Sequence, residues 1–339
     1  MSAALVQLDP LFPDPEVAAA FERRARAFGQ YRLYAEHEQI ELAIGPGLSP
    51  RHDAVRNFLK TRVGRDDTAA SVGARTSYFR EEYAYGDRLL LDGVDALRDH
   101  RGLLDAARHI HGRDVIEPAI VYANLFLPGQ ELAVHTDVPE FRGLSRKQVP
   151  QWLLVVMHHS RLFDDWRLPI ATGITWFGSS EGGALSYWPE GPDGPAARLA
   201  ARHNTAAVLD TDTVFHGVEP VGPPGAALPP LEIGAVLGAG EDGRVVLSDA
   251  TGREVRAYAW EELRFSVSWK AYCFAGAGER DAWRDHTDDL ELSIVLETLV
   301  ADLNRRGYAD ASISSPALGN QLIDEYVRFP STVPEPAGS

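Results

Sequence analysis

The chain changes its hydrophobic rhythm twice. Over 14–28 (DPEVAAAFERRARAF) apolar residues recur at helical spacing, with Asp14 placed to cap and Pro15 at the first helical position. Ser49-Pro50 opens a second predicted helix over 50–62, and 93–111 reads as a third helical region interrupted near Gly102. From about 117 the pattern turns β-branched and aromatic, as strands prefer. The runs are IEPAIVYANLF, PGQELAVHTD, QWLLVVMHH, ITWFG, GGALSYWPE and TAAVLDTDTVFHGVEPV, punctuated by Gly, Pro and Asp. After a Pro/Gly-rich loop at 219–233, residues 234–262 carry the turn pairs Asp242-Gly243 and Thr251-Gly252 and read as a hairpin. RFSVSWKAYCF is a further strand, and helices return at roughly 285–306 and 317–328. Short strands of this kind build an antiparallel barrel or sandwich.

No repeat and no long linker divides the chain. The expectation is one domain over 1–339, mainly β with helical flanks. It comprises a helix-rich N-terminal flank at 1–115, a β core at 116–275 carrying a hairpin insertion at about 219–262, and C-terminal helices at 280–330.

Composition narrows the function classes. The 33 basic residues face 49 acidic ones, a net charge of −16, which argues against nucleic acid as the main partner. The single cysteine, Cys273, excludes an intrachain disulfide and a cysteine-held metal cluster. The N-terminus lacks a signal-peptide pattern, and the most apolar stretch, Trp152 to Met157, is too short to span a bilayer. A cytoplasmic protein with no membrane partner is expected.

The candidate chemistry lies in VHTDV. His135 and Asp137 stand at i and i+2, so an extended backbone turns both to one side. Two imidazoles and one carboxylate on one face leave positions open on a metal, the arrangement of non-haem Fe(II) oxygenases. An isolated HxD is common by chance and often no more than a surface turn. Here the flanks matter, because Asn124 to Asp137 reads as a strand, a Pro-Gly turn and a second strand.

In that stretch the chain resembles the Fe(II)/2-oxoglutarate-dependent dioxygenase superfamily, the prolyl-hydroxylase-like branch most of all. The resemblance implies a double-stranded β-helix core of the jelly-roll or cupin-like kind, with Fe(II), 2-oxoglutarate and O₂ as cofactor and cosubstrates. It also implies His216 as the third ligand, because HGVEPV matches the context of the family's distal histidine, 81 residues after His135 (216 − 135). His203, in a polar turn, and the adjacent His158 and His159 are weaker candidates.

The far carboxylate of 2-oxoglutarate needs a buried cation, which a bidentate arginine suits best. Arg264 and Ser266 share a strand face and resemble the family's R-x-S element. Lys270 has the same parity but lies too far along the strand to serve the same carboxylate, and is the second choice. The family's arginine usually follows the distal histidine closely. Here 48 residues intervene (264 − 216), which reads as an insertion, and Arg244, Arg253 and Arg256 within it are the fallback anchors. Asn124 and Tyr122 share a face on the preceding strand; by resemblance Asn124 hydrogen-bonds 2-oxoglutarate. Phe126 stands where relatives often carry Tyr.

The implied reaction decarboxylates 2-oxoglutarate to succinate and CO₂ while oxidising a C–H bond of a small-molecule, amino-acid or peptide substrate. Asp137 favours hydroxylation over halogenation; desaturation and ring closure use the same ligands. Residues 138–150 read as a loop or lid whose Arg142 and Arg146 suit an acidic substrate, although a solvated loop face is the plainer role. Trp176, Tyr187 and Trp188 read as sheet packing before substrate contacts. The competing readings are a cupin-like metalloenzyme that does not use 2-oxoglutarate and a non-catalytic binding protein on the same scaffold.

Overall fold

The computed structural model describes residues 5–34, 48, 51–61, 68–241, 243–309 and 311–331. The predicted capping of the first helix is present: Pro15–Arg26 is helical and the Asp14 side chain accepts from the Glu16 N–H. The second helix spans His52–Thr61, while Ser49, Pro50 and residue 62 lie outside the described residues. In the third region the break falls at Asp99 and His100, and Gly102 sits inside the helix Arg101–His111.

Every strand pairing is antiparallel, and among the described residues the strands form two main sheets and a two-stranded ribbon. The major sheet runs in the order Leu5–Leu8, Thr205–Leu209, Ile170–Phe177, Arg264–Phe274, Val115–Phe126, Tyr78–Tyr85, Gln30–Tyr34, Val236–Ala239, Val245–Ser248 and Glu254–Tyr258. The minor sheet runs Ala197–Leu199, Leu185–Tyr187, His216–Val218 and Leu132–His135. The architecture is mainly antiparallel β with helical flanks.

The two faces of the major sheet differ in chemistry, and this places the site. On the Arg264–Phe274 strand, Phe265, Val267, Trp269, Ala271 and Cys273 alternate onto a face that packs with Leu103, Ala106 and Phe21 from the helices Arg101–His111 and Pro15–Arg26. The other parity, Arg264, Ser266, Ser268 and Lys270, turns towards the minor sheet together with its cross-strand partners Phe126, Asn124 and Tyr122. Side chains of both sheets meet there, as Phe126 packs with Val218 and Leu132, and Trp176 with Leu185. Polar groups on this inner face need partners or a ligand.

Four sequence expectations change. QWLLVVMHH is the helix Gln151–Ser160 and not a strand. It is apolar all round because the C-terminal helices Leu292–Arg305 and Leu318–Tyr326 enclose it, together with Trp188 and Phe215. The N-terminal flank is not only helical, since it supplies four strands of the major sheet, Leu5–Leu8, Gln30–Tyr34, Tyr78–Tyr85 and Arg88–Leu89, the last paired with Tyr78–Tyr85 alone. The hairpin at 234–262 is a three-stranded meander that extends that sheet by pairing with Gln30–Tyr34. The C-terminal region gains a helix at Ala277–Arg284, and 285–291 is not helical.

Candidate metal and cosubstrate site

The Val115–Phe126 strand ends at the Pro128-Gly129 turn, and the chain returns as Leu132–His135 in the minor sheet. The turn is held by Gln130, whose Oε1 accepts from the Leu127 N–H at 2.7 Å. In the next strand of that sheet His216 is the direct cross-strand partner of His135. Gly217 permits this approach, because a Cβ there would stand 2.9 Å from the Leu132 carbonyl. Asp137, just beyond its strand, is fixed by its own N–H donating to the Thr211 carbonyl at 2.8 Å.

The three side chains converge. His135 Nε2 is 3.5 Å and His216 Nε2 3.8 Å from Asp137 Oδ1, and one ligand atom from each residue lies within 4.8 Å of the others. Each imidazole is oriented by its other nitrogen. His135 Nδ1 lies 2.6 Å from the Ala133 carbonyl and His216 Nδ1 3.0 Å from the Val214 carbonyl. A carbonyl only accepts, so both Nδ1 atoms donate, and Nε2 is the atom of each ring that faces the shared space. Burial, reinforced by His135, pushes His216 down to about 4, so it stays neutral at physiological pH. Burial alone would raise the Asp137 carboxyl, but the Lys270 ammonium and the two imidazoles outweigh it and hold it well below the usual carboxylate range. Two imidazoles and one carboxylate on one side of a small space fit a divalent first-row metal with positions left open.

Further along the inner face, Arg264 is 2% exposed. Its Nε donates to the Gly183 carbonyl at 2.6 Å, its Nη1 donates to Ser266 Oγ at 3.0 Å, and the guanidinium lies over the Phe126 ring. No carboxylate of the described residues pairs with it, and burial pushes its guanidinium down to about 9, still charged at neutral pH. A buried cation of this kind is costly unless an anion joins it. Asn124 lies opposite Ser266 and donates from Nδ2 to Ser268 Oγ at 2.9 Å; Tyr122 lies opposite Ser268, with the Arg80 guanidinium over its ring.

Lys270 is not near Arg264. It is held 2.6 Å from Asp137 Oδ2, while the imidazoles approach Oδ1. Its face was legible from strand parity, but this partner was not. Arg253 pairs with Asp249, Arg244 donates to the Ala257 carbonyl and Arg256 lies over Tyr258, all within the meander. His203 accepts from the Gly178 N–H, and His158 and His159 lie on the buried helix facing Thr213 and Thr136. None of the three joins the His135–Asp137–His216 group. The 138–150 segment is tied down by the Glu140–Phe141 strand, and Arg142 is buried between Asp288 and the Asp165 carbonyl, so it is a brace and not a substrate arm. Trp176 and Trp188 are core residues, and Tyr187 packs at the edge of the Trp176 cluster.

No protein-family model and no curated protein matches this chain. Among solved structures the chain is similar to a 2OG-Fe(II) oxygenase family oxidoreductase from Burkholderia pseudomallei, at 12% identity and a TM-score of 0.40, covering 79% of this chain and 85% of that one. It is similar to a prolyl hydroxylase from Trichoplax adhaerens at 8% identity and a TM-score of 0.41, covering 85% and 88%. It is similar as well to a non-haem α-ketoglutarate-dependent carbocyclase of nogalamycin biosynthesis at 12% identity and a TM-score of 0.40, covering 86% and 90%.

Proposed function

We propose that this chain is a non-haem Fe(II) oxygenase that uses 2-oxoglutarate and O₂ to oxidise a C–H bond, by hydroxylation, in a small-molecule, amino-acid or peptide substrate. The observation that carries the reading is a pairing of two features on one inner face. A His–Asp–His group suited to a metal lies on the same side of the fold as a buried arginine that no carboxylate of the described residues neutralises. A cupin-like metalloenzyme without 2-oxoglutarate has no use for that arginine.

In this reading His135, Asp137 and His216 hold the metal. The backbone carbonyls behind both imidazoles fix their tautomers, which keeps the ligands aimed before metal arrives. Bound Fe(II) would couple decarboxylation of 2-oxoglutarate to succinate and CO₂ with reduction of O₂ and oxidation of the substrate. Arg264 binds the far carboxylate of 2-oxoglutarate, Ser266 adds a hydroxyl, and Asn124 and Tyr122 line the same surface. The inner face belongs to a jelly-roll core within one domain, and we read the protein as cytoplasmic. Among the described residues no helix is long and apolar enough to cross a membrane.

The test is anaerobic addition of Fe(II) followed by titration with 2-oxoglutarate. A metal-to-ligand charge-transfer band is expected in the wild type. In Arg264→Gln the 2-oxoglutarate affinity is expected to fall by roughly 100-fold, the order seen when one partner of a buried charge pair is removed. Metal binding with no such band would sink the reading and leave the cupin-like alternative.

A further inference from the structure

Among the described residues, a second arginine on the inner face has one distant carboxylate near it and no hydrogen-bond acceptor. Arg80, on the Tyr78–Tyr85 strand, is the direct cross-strand partner of Asn124, so its side chain leaves the sheet on the same face as Arg264 and Lys270. Its side chain is 11% exposed. Its guanidinium lies between two rings, 3.8 Å from the centroid of Tyr122 and 5.2 Å from that of Tyr34. Tyr34 stacks on Tyr78, and Tyr78 stacks on Phe126, which lies under Arg264. A continuous aromatic wall thus joins the two arginines. Among the described residues Arg80 makes no hydrogen bond, and its one ion-pair contact is Glu82 at 3.8 Å, a side chain that is 42% exposed.

Rings stacked on a guanidinium stabilise its charge and fix its plane, but they take none of its N–H donors. A guanidinium has five donors, and a largely buried one that spends none of them on the protein costs stability unless something else accepts. The exposed Glu82, beyond hydrogen-bonding distance, is a screened partner that a better acceptor would displace.

We propose that Arg80, clamped between Tyr34 and Tyr122, is the recognition point for a carboxylate on the substrate, so that the oxidised molecule is an organic acid. This rests on the oxygenase reading above, because that reading makes the inner face a substrate site. It assigns Arg264 to the cosubstrate and Arg80 to the substrate, two anions held by two arginines on one wall.

The experiment uses the full-length protein and a probe set of N-acetyl amino acids paired with their primary amides, which differ only in the anionic group. Binding is read by ligand-observed NMR on the Zn(II)-loaded protein with 2-oxoglutarate present, independently of turnover. At least one carboxylate is expected to bind about tenfold more tightly than its amide in the wild type. That preference is expected to vanish in Arg80→Gln and to be partly retained in Arg80→Lys. Both variants should keep wild-type affinity for 2-oxoglutarate in the charge-transfer titration, which also reports that their sites are folded. The proposal is overturned if no carboxylate outbinds its amide, or if the preference survives in Arg80→Gln. It is equally overturned if Arg80→Gln loses 2-oxoglutarate affinity, because Arg80 would then be the cosubstrate anchor. Failure of the oxygenase reading shows itself separately, as absence of the charge-transfer band in the wild type.

Discussion

The two oxygens of the Asp137 carboxylate have different neighbours. Oδ1 faces the imidazoles at 3.5 and 3.8 Å, while Oδ2 is 2.6 Å from the Lys270 ammonium. A metal reaching Oδ1 would find Oδ2 already engaged, which favours one-oxygen ligation and leaves room for other ligands. In the metal-free protein the ammonium is also the nearest compensating charge for a largely buried carboxylate. Removing it in Lys270→Met leaves that carboxylate uncompensated, a change that costs about 3–5 kcal/mol when a buried pair is broken. A bound divalent cation would supply the missing charge. Lys270→Met should therefore lower the melting temperature clearly in the presence of a chelator and much less with saturating Zn(II), as followed by thermal denaturation. An equal deficit in both conditions would mean that Lys270 acts by packing alone. From the sequence, i and i+2 spacing was enough to put His135 with Asp137 and Arg264 with Ser266, because parity is a local property of extended backbone. The Lys270–Asp137 contact joins residues 133 positions apart across two elements, and no local pattern encodes it.

At the level of elements, the turn before the Leu185–Tyr187 strand shapes the arginine site. Gly183 has φ of +64°, its carbonyl accepts from Arg264 Nε, and a Cβ there would overlap the Arg264 Cδ. Gly183→Ala would strain the backbone and push the guanidinium off its position. The expected result is a fall in 2-oxoglutarate affinity of about tenfold, for a misplacement costing about 1–2 kcal/mol, with metal affinity held. Parallel charge-transfer and metal titrations check it, and loss of metal affinity would place the damage elsewhere. The glycine pair that opens GGALSYWPE stands out in the sequence, but nothing local shows that its turn touches Arg264. Strands with one apolar face were legible, as in RFSVSWKAYCF, whose alternation matches an apolar outer and a polar inner face. QWLLVVMHH was not, because a continuous apolar run has no period to read, and only the helices that enclose it decide that it coils. TAAVLDTDTVFHGV ran together two strands that belong to different sheets, Thr205–Leu209 and His216–Val218.

At the scale of the whole molecule, the region behind the metal group concentrates buried ionisable side chains, and their titration shapes the dependence of stability on pH. Asp212 is fully buried with neither oxygen hydrogen-bonded; Arg167, which pairs with Asp210 at 2.8 Å, approaches it only to 3.6 Å. Burial pushes the Asp212 carboxyl up to about 7, with Arg167 opposing. Unfolded, the same group titrates near its ordinary value of 3.8. Between these two values the folded state carries a proton that the unfolded state has released, so the contribution of Asp212 to stability falls as pH rises from about 4 to about 7 and is level above that. The histidines act in the opposite sense. Burial pushes His159 and His216 down to about 4, so their contribution falls as pH drops from their ordinary 6.5 towards 4. The net profile mixes these terms, but a difference between two proteins isolates one of them. Asp212→Asn keeps the shape and removes the titration. Its stability relative to wild type should climb as pH rises from about 4 to about 7 and stay constant above, measured by chemical denaturation with a chelator present at each pH. A gap that does not change with pH would show that Asp212 keeps an ordinary ionisation in the fold, and that the neighbouring Arg167 compensates it fully despite the 3.6 Å separation.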